Sequence, residues 1–191
     1  MTEEGKPQNS YPGVLQYLFG LQRFGIKLGL ANIRALLAKV GDPQAHWAAV
    51  HIAGTNGKGS TAAFLESILR HSGLRVGLYT SPHLVDFSER IQVNGVPIGT
   101  DRVVALTERI RSAVGAMARE GERWQAGEDQ SLPAHWDPEK AAITFFEFTT
   151  AMAFLHFREE KVDLAVVETG LGGRLDASNV IDPLMSIITN I

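Results

Sequence analysis

Apolar residues along this chain follow two periods, and stretches of the two alternate. Ile33, Leu36, Leu37 and Val40 recur at i, i+3, i+4 and i+7, which predicts a helix over 31–40 with one apolar face. Gly41, Asp42 and Pro43 end it. Before it, residues 1–12 are polar and read as a tail, and Tyr11 to Leu21 begins a short helix. Trp47 to Ile52 is an apolar run of strand length. In the amphipathic run after it, Phe64, Leu65, Ile68 and Leu69 predict a buried stripe, with Gly73 as the stop. Arg75 to Thr80 is a second strand, and two strands joined by such a helix make a parallel βαβ unit. Ile91 to Ile98 alternates around Asn94-Gly95, a hairpin signal. Helix signals resume at Thr100-Asp101, with Val104, Ile110, Val114 and Met117 among the apolar positions up to Gly121. Gly121 to Glu139 has no period and reads as a long loop. Thr144 to Glu147 opens another helix that runs to about Glu159, with Phe148, Met152, Leu155 and Phe157 among its apolar residues. Asp163 to Glu168 and Leu184 to Thr189 are further strands. The pattern predicts one three-layer α/β domain over 13–191, with a mostly parallel sheet and an inserted hairpin.

Composition narrows the class without changing that picture. A chain of 191 residues can bury about 70% of its unfolded surface, enough for one proper core. A net charge of −3 leaves no basic footprint for nucleic acid. No apolar run approaches the ~20 residues of a membrane span, and no signal peptide opens the chain. With no cysteine there are no disulfides or thiolate metal sites, which suits the cytoplasm. The histidines show no dense zinc spacing.

The stretch that carries chemistry is His51-Ile52-Ala53-Gly54-Thr55-Asn56-Gly57-Lys58-Gly59-Ser60-Thr61, set between a strand and a helix. Glycines let backbone N–H groups converge on one anion, and the helix N-terminus adds its positive dipole end. Lys58 supplies a mobile positive charge for terminal phosphates. The common phosphate-loop pattern G-x-x-x-x-G-K-S/T would need glycine at 52 and a hydroxyl at 59; this chain has Ile52 and Gly59, with hydroxyls displaced to Ser60 and Thr61. A bare glycine turn with an exposed lysine would explain one or two of the glycines, but not three beside Thr, Asn, Lys, Ser and Thr. Residues Gly54 to Thr61 are therefore taken as an ATP-phosphate site, with Lys58 as the catalytic cation. Glu168, where a buried strand ends opposite that loop, is placed as a Mg²⁺ ligand would be, because magnesium takes hard oxygen donors beside phosphates.

The loop resembles that of the Mur ligase superfamily, and its Gly-Lys-Gly-Ser form is similar to folylpolyglutamate synthase/dihydrofolate synthase. Further matches run from Phe24 to the end. They are Phe24-Gly25-Ile26-Lys27-Leu28-Gly29-Leu30, then Ser81-Pro82-His83-Leu84-Val85-Asp86-Phe87-Ser88-Glu89-Arg90-Ile91, and then Glu168-Thr169-Gly170-Leu171-Gly172-Gly173-Arg174-Leu175-Asp176-Ala177-Ser178-Asn179. Read without the resemblance, the first is a connector, the second surface-turn chemistry and the third a glycine turn.

What the resemblance implies is specific. The fold would be like the Mur ligase central domain. The activity would be ATP-dependent addition of L-glutamate to dihydropteroate or reduced folates through an acyl phosphate. Ser81 and Glu168 would bridge Mg²⁺ to the protein. Ser81, Pro82 and His83, Thr144, Phe145, Phe146 and Glu147, and Leu175, Asp176 and Ala177 would form the pterin or folate pocket. The family also carries a metal-binding histidine and a C-terminal glutamate-ligase domain beyond the position of Ile191, so these residues alone are expected to be inactive. Two competing readings are another Mur-type amide ligase and a phosphate-loop ATP-binding domain without ligase activity. Neither explains the Ser-Pro-His-Leu and Leu-Asp-Ala-Ser blocks.

Overall fold

The computed structural model describes residues 10–25, 27, 29–125 and 142–191. Residues 1–9 of the expected tail and 126–139 of the expected long loop lie outside them. Helix α1 spans Tyr11–Gly20, α2 Ala31–Lys39, α3 Lys58–His71, α4 Thr100–Gln125 and α5 Phe145–Glu159. Strands are β1 Ala48–Ala53, β2 Val76–Tyr79, β3 Ile91–Val93, β4 Val96–Pro97, β5 Leu164–Glu168 and β6 Met185–Ile188. Short 3₁₀ turns at Leu21–Phe24, Pro43–His46 and Phe87–Arg90 complete the described elements.

The six strands form one sheet in the order β4-β3-β2-β5-β1-β6. β2, β5, β1 and β6 run parallel, while the β3–β4 hairpin is antiparallel and caps one edge. The expected βαβ unit is present, but β1 and β2 are not neighbours, because β5 pairs with both. The hairpin turns at Asn94 and Gly95, both with positive φ, as the Asn-Gly signal requires.

Alternation along the parallel strands separates two cores. Ala49, Tyr79, Ala165 and Val167 face a large cluster built from α1, α2, α4 and α5. Val50, Ile52, Val76, Leu78 and Val166 face a small one closed by α3, through Ala62, Leu65 and Leu69. Tyr79 pins α5 to the sheet, its hydroxyl lying 3.0 Å from Thr149 Oγ1 and 3.1 Å from Thr150 Oγ1. Burial raises its phenol to about 12.

Three expectations change. Phe64 and Ile68, placed on the buried stripe, are 71% and 67% exposed. Leu65 and Leu69 do pack towards the sheet, but with Ala62 and the buried Glu66 beside them rather than Phe64 and Ile68. The helix that begins at Thr100 continues to Gln125, so Gly121–Gln125 is helical rather than loop. The N-terminal tail ends sooner, since Ser10 caps α1 through a hydrogen bond from Gly13 N–H and Pro12 sits in the first turn. No helix among the described residues is long and apolar enough to cross a membrane.

Candidate functional site

Parallel strands deliver their carboxyl ends, and the loops that follow, to one edge of the sheet. The Gly54–Ser60 loop follows β1, Ser81 lies just after β2, and Glu168 ends β5. Gly54 takes φ +139, and a Cβ there would lie 2.1 Å from Thr189 Oγ1, so only glycine lets the chain after β6 cross this closely. That crossing is fastened by a hydrogen bond from Thr55 N–H to the Asn190 carbonyl and by one from the Thr189 hydroxyl to the Asn56 carbonyl, 2.5 and 2.7 Å. Gly57 then opens α3 in the left-handed region, with no side-chain cap and no acidic residue in the first turn. An uncapped helix N-terminus leaves N–H groups and a positive dipole end for an anion.

Lys58 Nζ stands 3.9 Å from Glu168 Oε1, and Glu168 Oε2 accepts a hydrogen bond from Ser81 N–H at 3.2 Å. Thus Lys58, Glu168 and Ser81, far apart in sequence, meet at one point. Burial pushes the Glu168 carboxyl up, while the Ser81 N–H and the Lys58 ammonium pull it back down. A Cβ at Gly59 would sit 3.6 Å from Glu168 Oε2, so the position where the common loop carries its hydroxyl here faces the carboxylate. No group of three or more His, Cys, Asp or Glu side chains among the described residues is placed to hold a metal; the contact that joins the two expected ligands is from the Ser81 backbone N–H to the Glu168 carboxylate.

Beyond Ser81 opens a cleft of about 360 Å³. It is lined by Ser81, Pro82, Thr144, Phe145, Phe146, Glu147, Leu175, Asp176 and Ala177, which come from three separate segments of the chain. Of the residues assigned to an acceptor pocket, His83 alone is not among the lining. Its Nδ1 accepts from Arg90 Nε at 2.7 Å, and burial together with the nearby Arg90 charge lowers its imidazole pKa. Gly170 also lines the cleft, and a Cβ there would lie 2.6 Å from Phe146 Cζ, so the tip of the ring packs directly on the loop.

Two carboxylates of this cleft are already engaged. Thr144-Phe145-Phe146-Glu147 is a capping box: Thr144 N–H and hydroxyl donate to Glu147 Oε2 at 2.8 and 2.9 Å, and Glu147 N–H donates to Thr144 Oγ1. Burial nevertheless raises the Glu147 carboxyl. Asp176 accepts from Leu171 N–H on one oxygen and from the Ser178 N–H and hydroxyl on the other, at 2.8, 3.0 and 2.5 Å. Oδ1 thus has both lone pairs engaged, while Oδ2, with one donor, keeps a lone-pair direction for another.

The pattern reading passed over Lys27 and Arg90, which also line the cleft. Lys27 Nζ donates to the Ala142 carbonyl at 3.0 Å, and Arg90 is buried with its guanidinium 5.2 Å from the centre of the Phe145 ring. A basic residue inside each of the two sequence blocks that frame the cleft was the available signal.

No protein-family model matches the chain. It is 42% identical over 183 residues to the dihydrofolate synthase/folylpolyglutamate synthase of Bacillus subtilis, covering 95% of this chain and 38% of that protein. The folylpolyglutamate synthase structure from Thermotoga maritima is 42% identical with a TM-score of 0.80, again over 95% of this chain and 38% of the other. A folylpolyglutamate synthase structure described as a complex with AMPPCP and folate is 34% identical with a TM-score of 0.76, over 94% of this chain and 40% of the other. The chain therefore spans less than half the length of each of these relatives.

Proposed function

We infer that this chain, which belongs to the folylpolyglutamate synthase/dihydrofolate synthase family, is the part of an ATP-dependent glutamate ligase that binds the nucleotide and the pterin-bearing acceptor. The whole enzyme would join L-glutamate to a dihydropteroate or reduced-folate carboxylate activated as an acyl phosphate. The observation that carries this reading is the Lys58–Glu168–Ser81 junction, where an uncapped helix N-terminus and the aromatic cleft share one wall.

Each residue then has a physical task. The N–H groups of Gly57 to Ser60 and the Lys58 ammonium hold the phosphates and offset charge on the transferring group. Glu168 and Ser81 would hold Mg²⁺, whose charge adds to that of Lys58. The rings of Phe145 and Phe146 offer flat surface to a pterin, and Asp176 Oδ2 offers an acceptor oxygen to one of its ring N–H groups. Holding donor and acceptor on one wall brings the reacting groups together, where positioning is worth ~7–11 kcal/mol of barrier. Glutamate binding and the complete metal shell are assigned to the remainder of the longer polypeptide, so this portion by itself should bind substrates without multiple-turnover ligation.

Lys58→Ala is the test. Calorimetry should show Mg-ATP binding weakened at least tenfold, with the circular dichroism spectrum unchanged. Equal affinity in variant and parent would remove the phosphate-loop assignment.

A further inference from the structure

His51 has no part in the chemistry just described, yet it is a buried polar side chain on β1, three residues before the phosphate loop. Its Nε2 lies 2.8 Å from Ser178 Oγ. Ser178 is fully buried, and its hydroxyl lies 2.5 Å from Asp176 Oδ1. Two oxygens that close must have a hydrogen between them. Asp176, which accepts from two backbone N–H groups as well, is the acceptor, so the hydrogen is the Ser178 hydroxyl proton. A hydroxyl has only one proton, and it is spent on Asp176. The 2.8 Å contact on its other side is therefore a hydrogen bond donated by His51 Nε2–H to the Ser178 oxygen. This fixes the tautomer by elimination. Burial lowers the imidazole pKa, which keeps the ring neutral with that hydrogen in place, while the Asp176 charge acts the other way.

The result is a relay from a strand paired on both sides to a cleft wall. β1 holds His51, His51 holds Ser178, Ser178 holds Asp176, and Asp176 holds the Leu171 N–H. The segment it secures has no helix or strand of its own between β5 and β6. We propose that His51 is a positioning residue that locks the 170–179 loop against β1 through the Ser178 hydroxyl, and thereby sets the acceptor wall formed by Leu171, Asp176 and Ala177.

This inference rests on the cleft being the pterin site, and two readouts separate the two claims. The first is hydrogen exchange at the Leu171 and Ser178 amides, which needs no ligand. His51→Leu keeps an apolar side chain of similar bulk but removes the donor, and both amides should exchange about tenfold faster, the loss of one buried hydrogen bond. His51→Gln, whose amide nitrogen reaches the same place, should restore parent protection. Ser178→Ala should match His51→Leu, and the double variant should add little to either. The second readout is affinity for dihydropteroate against affinity for Mg-ATP. The Leu variant should lose about tenfold for dihydropteroate and less than twofold for Mg-ATP, with Gln restoring the former. Unchanged amide exchange in His51→Leu overturns the proposal, as does failure of Gln to restore it or an equal loss of both ligands. If the parent binds no dihydropteroate, the pterin reading of the cleft falls, and the exchange data alone decide whether His51 holds the loop.

Discussion

The two faces of the sheet are built to different depths. On one, α1, α2, α4 and α5 enclose a continuous core in which Phe148, Phe154 and Phe157 are completely buried. On the other, a single described helix, α3, covers the centre, and its outer side leaves Phe64 and Ile68 in solvent. The edge strand β6 likewise leaves Met185 and Ile188 more than half exposed. The difference shows where stability and function are separated. The deep face supplies rigid support, and α5 on that face presents the Thr144–Glu147 wall of the cleft. The shallow face carries the helix whose uncapped N-terminus brings Lys58 to Glu168.

Substitutions should expose this contrast directly. The largest effect belongs to Phe154→Ala on the deep face, where the ring packs edge-on to Trp47 at 5.1 Å between centroids. It should cost about 3–5 kcal/mol in chemical denaturation. A cost below 1 kcal/mol would mean the deep core is looser than its burial implies.

Next comes acid sensitivity through His156, also on α5. Burial pushes its pKa down to about 4, with Arg102 and Arg75 acting the same way against Glu160. Its Nδ1 has no hydrogen-bond partner among the described residues. The unfolded chain takes up this proton near the ordinary histidine value, and the folded chain only near 4. Stability from the neutral ring is therefore complete above about 6.5 and is lost as pH falls from there towards 4. His156→Leu should reduce that loss by on the order of 1–2 kcal/mol. Parallel pH–stability curves for variant and parent would refute it.

Thr144→Ala tests the joint between the deep face and the cleft. Loss of the cap should cost about 1 kcal/mol at neutral pH. Because burial raises the Glu147 carboxyl, acidification protonates it and removes its need for the Thr144 donors, so the cost should shrink as pH falls. A cost that does not vary with pH would mean the carboxylate is not held by this box. The smallest effect is expected at the shallow face. Phe64→Ser should change stability by less than about 0.5 kcal/mol and lower any tendency to self-associate in sedimentation.

These contrasts bear on what could be read from the chain before it was folded. Local signals survived wherever one residue type serves one short-range need. Asn94-Gly95 makes its hairpin, Ile33, Leu36, Leu37 and Val40 are all buried, and the glycine loop sits between β1 and α3. Apolar character misled where burial depends on what lies opposite, as at Phe64 and Ile68. Thr144 and Glu147 were placed at the cleft on resemblance, and their sequence spacing was also the mark of a capping box that the pattern reading passed over.

The amino-acid sequence by itself determined the alternation of strands and helices, the place of the Gly54–Ser60 loop between a strand and a helix, and the likeness to folylpolyglutamate synthase/dihydrofolate synthase. Periodicity, glycine placement and the spacing of charged residues are local properties, written within a few residues of one another. Only the tertiary structure decided that β5 enters between β1 and β2, and that this insertion brings Glu168 within reach of both Lys58 and Ser81. It alone joined His51 to Ser178 across 127 positions. Such contacts depend on strand order and register, which follow from how all the apolar faces are buried together, and no single stretch of the chain carries that information.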